Sequence, residues 1–180
     1  MAALRTAILL AWVAFWVYWL VAARSAKAGT HRRSRLAPGV RIVVLAFIVI
    51  RVFRGSGLAV HALALQIVGT ALFVSGLAFA VWARLYLGRN WGMPMTQKDE
   101  PELVTSGPYR YVRHPIYTGI LSAMVGTALA TNLYWLIPFA ISAVYFVHSA
   151  RVEEQIMGAT FPETYPVYKA RTKMLIPFLL

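Results

Sequence analysis

Residues 115–150 form a run of 36 positions without a single Lys, Arg, Asp or Glu. Tyr109-Arg110-Tyr111-Val112-Arg113-His114 precedes it and Arg151-Val152-Glu153-Glu154 follows it. About 20 apolar residues make one helical crossing of a bilayer, so the run is too long for one span and long enough for two short ones. Thr131-Asn132 supplies the reversal. The expectation is a helical hairpin, with helices over 116–130 and 133–148, that returns His114 and Arg151 to the same interface. The last helix should continue as an amphipathic extension through Gln155 or Met157.

Three more apolar stretches, 6–23, 36–53 and 58–83, precede the hairpin, and 59% of the 180 residues are hydrophobic. The fold class expected is therefore all-α: a polytopic integral membrane protein of about five transmembrane helices including the C-terminal hairpin. Arg41 and Arg51 bracket the second stretch and can snorkel toward the interfaces. The first stretch is aromatic-rich and followed by arginines, not by a small-residue cleavage site, which favours a retained helix over a signal peptide.

A net charge of +12 can indicate nucleic acid, but here the cations sit in short segments between apolar spans. That is the pattern that orients membrane proteins, so no nucleic-acid partner is expected. With five spans and the N-terminus outside, fifteen cations fall on the cytoplasmic side, and only Arg5, Arg51 and Arg54 fall outside. Both polar clusters then face the cytoplasm. The 14 Arg to 4 Lys ratio points to a bacterial inner membrane.

All six carboxylates lie at or beyond Asp99, so acidic chemistry is confined to one module. The chain divides into scaffold helices over 1–84 and a loop, hairpin and tail over 85–180, together one compact domain. Gly69 and Gly76 at helical spacing allow close helix packing in the scaffold, where His61 and Gln66 are expected to make interhelical hydrogen bonds. No cysteine is present and His31, His61, His114 and His148 are scattered, so no metal is expected. Dinucleotide and P-loop glycine motifs are also missing.

The chemistry concentrates in Leu103-Val104-Thr105-Ser106-Gly107-Pro108-Tyr109-Arg110-Tyr111-Val112-Arg113-His114-Pro115-Ile116-Tyr117-Thr118-Gly119, in Glu153-Glu154, and in a tail with Phe161, Tyr165, Tyr168, Arg171 and Ile176-Pro177. Leu103-Val104-Thr105 reads as a short extended segment before a turn at Ser106-Gly107-Pro108. Pro115 suits a first helical turn, which leaves the amides of Ile116 and Tyr117 able to face an anion. Arg151 and Glu154, three apart, share a helix face from which Glu153 points away. Tyr165 and Tyr168 read as tail packing or an interfacial belt, and Pro162 and Pro166 interrupt any long helix there.

Together these residues resemble the isoprenylcysteine carboxyl methyltransferases and their bacterial relatives, which share a C-terminal signature with the phosphatidylethanolamine N-methyltransferases. The resemblance runs over residues 88–177. It implies a membrane enzyme that takes S-adenosylmethionine from the cytosol and methylates a lipophilic or small acceptor, a carboxylate, thiol or amine, that approaches from the membrane lipid. Such a cofactor needs an anion receptor, a hydroxyl acceptor and an aromatic surface. Those roles fall to His114, Pro115, Ile116 and Tyr117, to Glu153 or Glu154, and to Tyr109 with Tyr117. The resemblance adds Pro101, Glu102, Leu103 and Val104 as cofactor contacts. Arg151, with Arg171 second, is the candidate for orienting the acceptor's anionic group. Two other functions stay open: an NADPH-dependent membrane reductase of the sterol-reductase type, and a non-enzymatic membrane subunit.

Overall fold

The computed structural model describes residues 2–23, 58–88 and 102–176. The described chain comprises α1 (Ala2–Ala23), α2 (Leu63–Leu87), α3 (Pro115–Ala130), α4 (Leu136–Thr160) and the short α5 (Thr164–Arg171). Single 3-10 turns occupy Gly107–Arg110 and Leu133–Trp135. Among the described residues there are no strands, only two isolated bridges. The protein is all-α.

α1, α2 and Leu133–Thr160 are each long and apolar enough to cross a membrane, while α3 is a shorter apolar helix. At 16 residues α3 spans about 24 Å, less than a bilayer core. It survives because it is central: residues on nearly every face of it are buried. The other helices bury one stripe each. Ile8, Trp12 and Phe15 are the inward positions of α1; Gly69, Phe73, Gly76, Ala80 and Ala83 are those of α2. Their opposite faces, including Leu10, Val17, Leu20, Ile67 and Val74, are exposed aliphatics suited to lipid. The expected second span, 36–53, lies outside the described residues.

α2 and α3 are antiparallel and in backbone contact. A Cβ built on Gly76 would lie 2.6 Å from Ala123 N and 2.7 Å from Gly119 O, and one on Gly119 would lie 2.6 Å from Gly76 O. Gly69 and Gly126 meet in the same way one heptad along. α1 runs parallel to α2, since the Trp12 and Phe73 rings are 5.7 Å apart and Arg84 Nη2 donates to Ala22 O at 2.7 Å. Trp12 Nε1 also donates to Thr127 Oγ1 at 3.1 Å, tying α1 to α3. Because α1 and α2 are parallel, the chain leaves the bundle at one end and returns at the other.

Several boundaries differ from the sequence reading. α4 continues to Thr160, a few residues past the expected end of its extension at Gln155 or Met157, with Glu153-Glu154 inside the helix. The hairpin turns at Thr131 and Asn132 as expected, and the Asn132 side chain accepts from Tyr134 N at 2.8 Å. Leu103, Val104 and Thr105 form no regular element. Gly107 adopts φ +58°, a left-handed conformation, and a Cβ there would come within 2.7 Å of the Tyr86 ring. Gln66 Nε2 donates to Val60 O at 2.8 Å, and His61 is exposed. Pro166 falls in the first turn of α5, where a missing amide hydrogen is tolerated, so a short helix forms in the tail despite both prolines.

Candidate cofactor site

The C-terminal ends of α1, α2 and α4, the start of α3 and the tail gather at one end of the bundle. Pro115 is the first residue of α3, and His114, with φ −124° and ψ 60°, is its N-cap. His114 makes no side-chain capping bond. As first-turn groups, the amides of Ile116 and Tyr117 have no intrahelical acceptor. Ser149 and Ala150 are small and buried, which lets α4 bring its glutamates against this helix start.

Both glutamates converge on His114. Glu153 Oε2 lies 3.4 Å from His114 Nδ1, and Glu154 Oε1 lies 3.6 Å from His114 Nε2. The second distance is beyond hydrogen-bond reach, and Nε2 is buried without a hydrogen-bond partner. Burial opposes charging of His114, but the two carboxylates outweigh it and push its pKa up. Tyr117 donates its hydroxyl to Glu153 Oε1 at 2.5 Å and stacks between the rings of His114 and Phe146, at centroid distances of 5.5 and 4.5 Å.

Glu154 differs from its neighbour. Its side chain is 6% exposed, against 25% for Glu153. Arg113 Nε donates to its Oε1 at 2.6 Å, and Lys169 Nζ lies 2.7 Å from its Oε2. The expected shared face with Arg151 does not produce a pairing: Arg151 is exposed, and Glu154 takes its cations from the loop and from α5. Nor does Glu153 point away, because the start of α3 lies between the two carboxylates. Two cations that the sequence reading does not assign to the site, Arg113 and Lys169, therefore belong to it. The available signal was that so few carboxylates face so many cations, which leaves a buried one certain to be paired.

The remaining candidates are spread more widely. Tyr109 and Tyr117 are both buried in the hydrophobic core, so neither offers the open aromatic surface expected of it. Burial pushes the Tyr109 phenol well up, with Tyr168 and Glu153 adding to the effect. Tyr168 instead donates to Tyr109 O at 2.7 Å, which makes it part of the tail packing. Leu103 and Val104 are half-buried, Val104 against the core, and Glu102 is exposed. Pro101 lies outside the described residues. Arg171 is exposed on the last turn of α5. Among the described residues no cluster of three or more metal-ligating side chains occurs.

An orphaned buried imidazole nitrogen, a helix start with unbonded amides and a partly exposed carboxylate suit a ligand that carries both a carboxylate and hydroxyl groups. That chemistry fits S-adenosylmethionine.

The protein-S-isoprenylcysteine O-methyltransferase of Xenopus laevis is 30% identical over 120 residues, 64% of this chain and 41% of that protein. The methanethiol S-methyltransferase of Crocosphaera subtropica is 32% identical over 71 residues, 39% of this chain and 28% of that one. The chain thus spans less than half the length of these relatives. The fold is similar to that of a eukaryotic intramembrane Ras methyltransferase, isoprenylcysteine carboxyl methyltransferase. The TM-score is 0.57 at 24% identity, over 83% of this chain and 54% of that one. With three membrane-length apolar helices and this neighbour, the protein is an integral membrane protein. The family model described as phospholipid methyltransferase matches residues 64–164, more than half of the sequence, and the chain belongs to that family.

Proposed function

We propose that the protein is an S-adenosylmethionine-dependent membrane methyltransferase whose cofactor site lies at the His114 end of the bundle. The observation that carries this reading is the convergence of Glu153, His114 and the first turn of α3 on one buried polar centre. The helix start, with the buried His114 Nε2, receives the cofactor's carboxylate, and Glu153 accepts from its hydroxyls. When bound, the cofactor supplies an electrophilic methyl group on a sulfonium. By the family resemblance, Pro101, Glu102, Leu103 and Val104 are further cofactor contacts.

Arg151 and Arg171, both exposed at this end, orient an anionic acceptor. For a carboxylate or thiolate the nucleophile is already charged, so alignment and water exclusion dominate, and alignment can contribute roughly 7 to 11 kcal/mol. The names of the O- and S-methyltransferase relatives support an oxygen or sulfur acceptor, and an amine would call on a glutamate as base. Residues 1–84 serve as scaffold and 85–180 as the working module. The cation distribution supports a bacterial inner-membrane location with the site facing the cytoplasm. The parallel α1 and α2 support the five-span reading, which needs one crossing between them.

Calorimetric titration of the purified protein with S-adenosylhomocysteine tests the reading. Saturable binding is expected, together with labelled-methyl transfer to lipid extracts or small thiols. Binding of NADPH alone would favour a reductase, and binding of neither a non-enzymatic subunit.

A further inference from the structure

Glu154 is buried, and the groups that enclose it lead to the C-terminal tail. Arg113, held by its Nε on Glu154 Oε1, turns Nη1 to the carbonyls of Lys169, at 3.2 Å, and of Thr172. Lys169, the other partner of Glu154, belongs to the same tail. Next to this centre the tail runs parallel to residues 112–114: Arg113 N donates to Lys173 O at 2.8 Å and His114 N to Met174 O at 3.1 Å. Thr118 Oγ1 donates to Leu175 O at 2.6 Å. One carboxylate on α4 therefore joins the loop before α3 to α5, and the segment that follows α5 accepts from the backbone of His114.

We propose that Arg113, Glu154 and Lys169 form a positioning clamp that seats tail residues 172–175 against the start of α3 and so sets His114 for the cofactor. This rests on the methyltransferase reading, and it divides the glutamate pair: Glu153 serves the ligand and Glu154 serves the tail. Charge neutralisation alone does not describe the arrangement, because each Glu154 oxygen takes a different cation, one from each segment to be joined. Lys169 is the informative member. Its side chain is 50% exposed, so its replacement leaves the core intact while removing one of the two links.

The test uses the full-length protein in detergent, with Lys169→Met, Lys169→Arg, Glu154→Gln and the Glu154→Gln/Lys169→Met double variant. Arg5→Ala is the control for charge, since Arg5 is an exposed cation near the start of α1, outside the clamp and the segments it joins. Two readouts are taken: exchange of the Arg113 and His114 amides without cofactor, and affinity for S-adenosylhomocysteine. Lys169→Met is expected to speed exchange at both amides and to weaken affinity about three- to tenfold. Lys169→Arg should restore both, Arg5→Ala should change neither, and the double variant should be no worse than Glu154→Gln, because the two residues act as one unit. Unchanged amides and affinity within twofold of wild type in Lys169→Met would overturn the clamp and leave the methyltransferase reading standing. Wild-type protein that binds no S-adenosylhomocysteine would overturn that reading and the positioning role with it, and amide exchange would then decide whether the clamp exists as a structural unit.

Discussion

Gly76→Ala is the sharpest test of the scaffold. Its added methyl would sit 2.6 Å from Ala123 N, 2.7 Å from Gly119 O and 3.1 Å from Ala123 Cα, all backbone atoms of α3 that no rotamer change can move aside. Ordinary van der Waals contact starts near 3.4 Å, so α2 and α3 must separate by roughly 0.7 Å along the whole stripe. A gap of that size forfeits about a quarter to a half of each attractive contact across the interface, and overpacking of this kind costs about 1 to 3 kcal/mol. The upper half of that range is expected because the partner is backbone, and because the paired glycines one heptad away, Gly69 and Gly126, are pulled apart too. Gly158→Ala is the matched control: its methyl would meet only Tyr165 Cδ1 at 3.9 Å, and it gains helix propensity. Thermal unfolding in detergent, followed by circular dichroism, should show the Gly76→Ala midpoint lowered by about 5 to 10 °C and that of Gly158→Ala unchanged or raised. Equal midpoints for the two variants would refute the backbone contact between α2 and α3.

Arg151→Ala should leave S-adenosylhomocysteine affinity within a few-fold and lower turnover, because acceptor orientation is expressed in the transition state; a loss confined to cofactor binding would misplace the residue. His114 is faced by Glu153 and Glu154 from α4 and by Tyr117 from α3, with Arg113 and Lys169 behind Glu154. Its pKa is raised above the unfolded value of 6.5, so the stability it contributes is complete below that pH and is lost as pH rises through the folded value. The thermal midpoint should therefore fall on going upward from about pH 6.5, and His114→Phe should flatten that slope. Trp12→Phe removes the buried bond to Thr127 Oγ1, a loss of about 1 kcal/mol or less visible in detergent unfolding, whereas full stability would show that the bond contributes nothing. Reporter fusions should place the C-terminus in the cytoplasm, and a C-terminal reporter active only in the periplasm would reverse the orientation and the side from which the cofactor enters.

Much of the architecture was legible because a membrane reduces the problem to length and charge. The uncharged 115–150 run, with a polar break at Thr131-Asn132, admits little besides a hairpin, since backbone groups in lipid must be satisfied within each helix. The same constraint identified α1 and α2 to within a few residues, and the 69/76 glycine spacing announced a close helix contact. The motif residues around His114 and Glu153-Glu154 could likewise be named from the chain alone. What each of them touches was decided by tertiary structure. Spacing placed Glu154 beside Arg151 on a helix face, yet burial selects partners across space, and Arg113 and Lys169 reach it from 41 residues upstream and 15 downstream. Sequence gave Tyr109 and Tyr117 aromatic character but not direction, and packing turned both into the core. The tail's path depends on bonds from Arg113, His114 and Thr118 to its carbonyls, groups that every residue carries and that no pattern of side chains reveals.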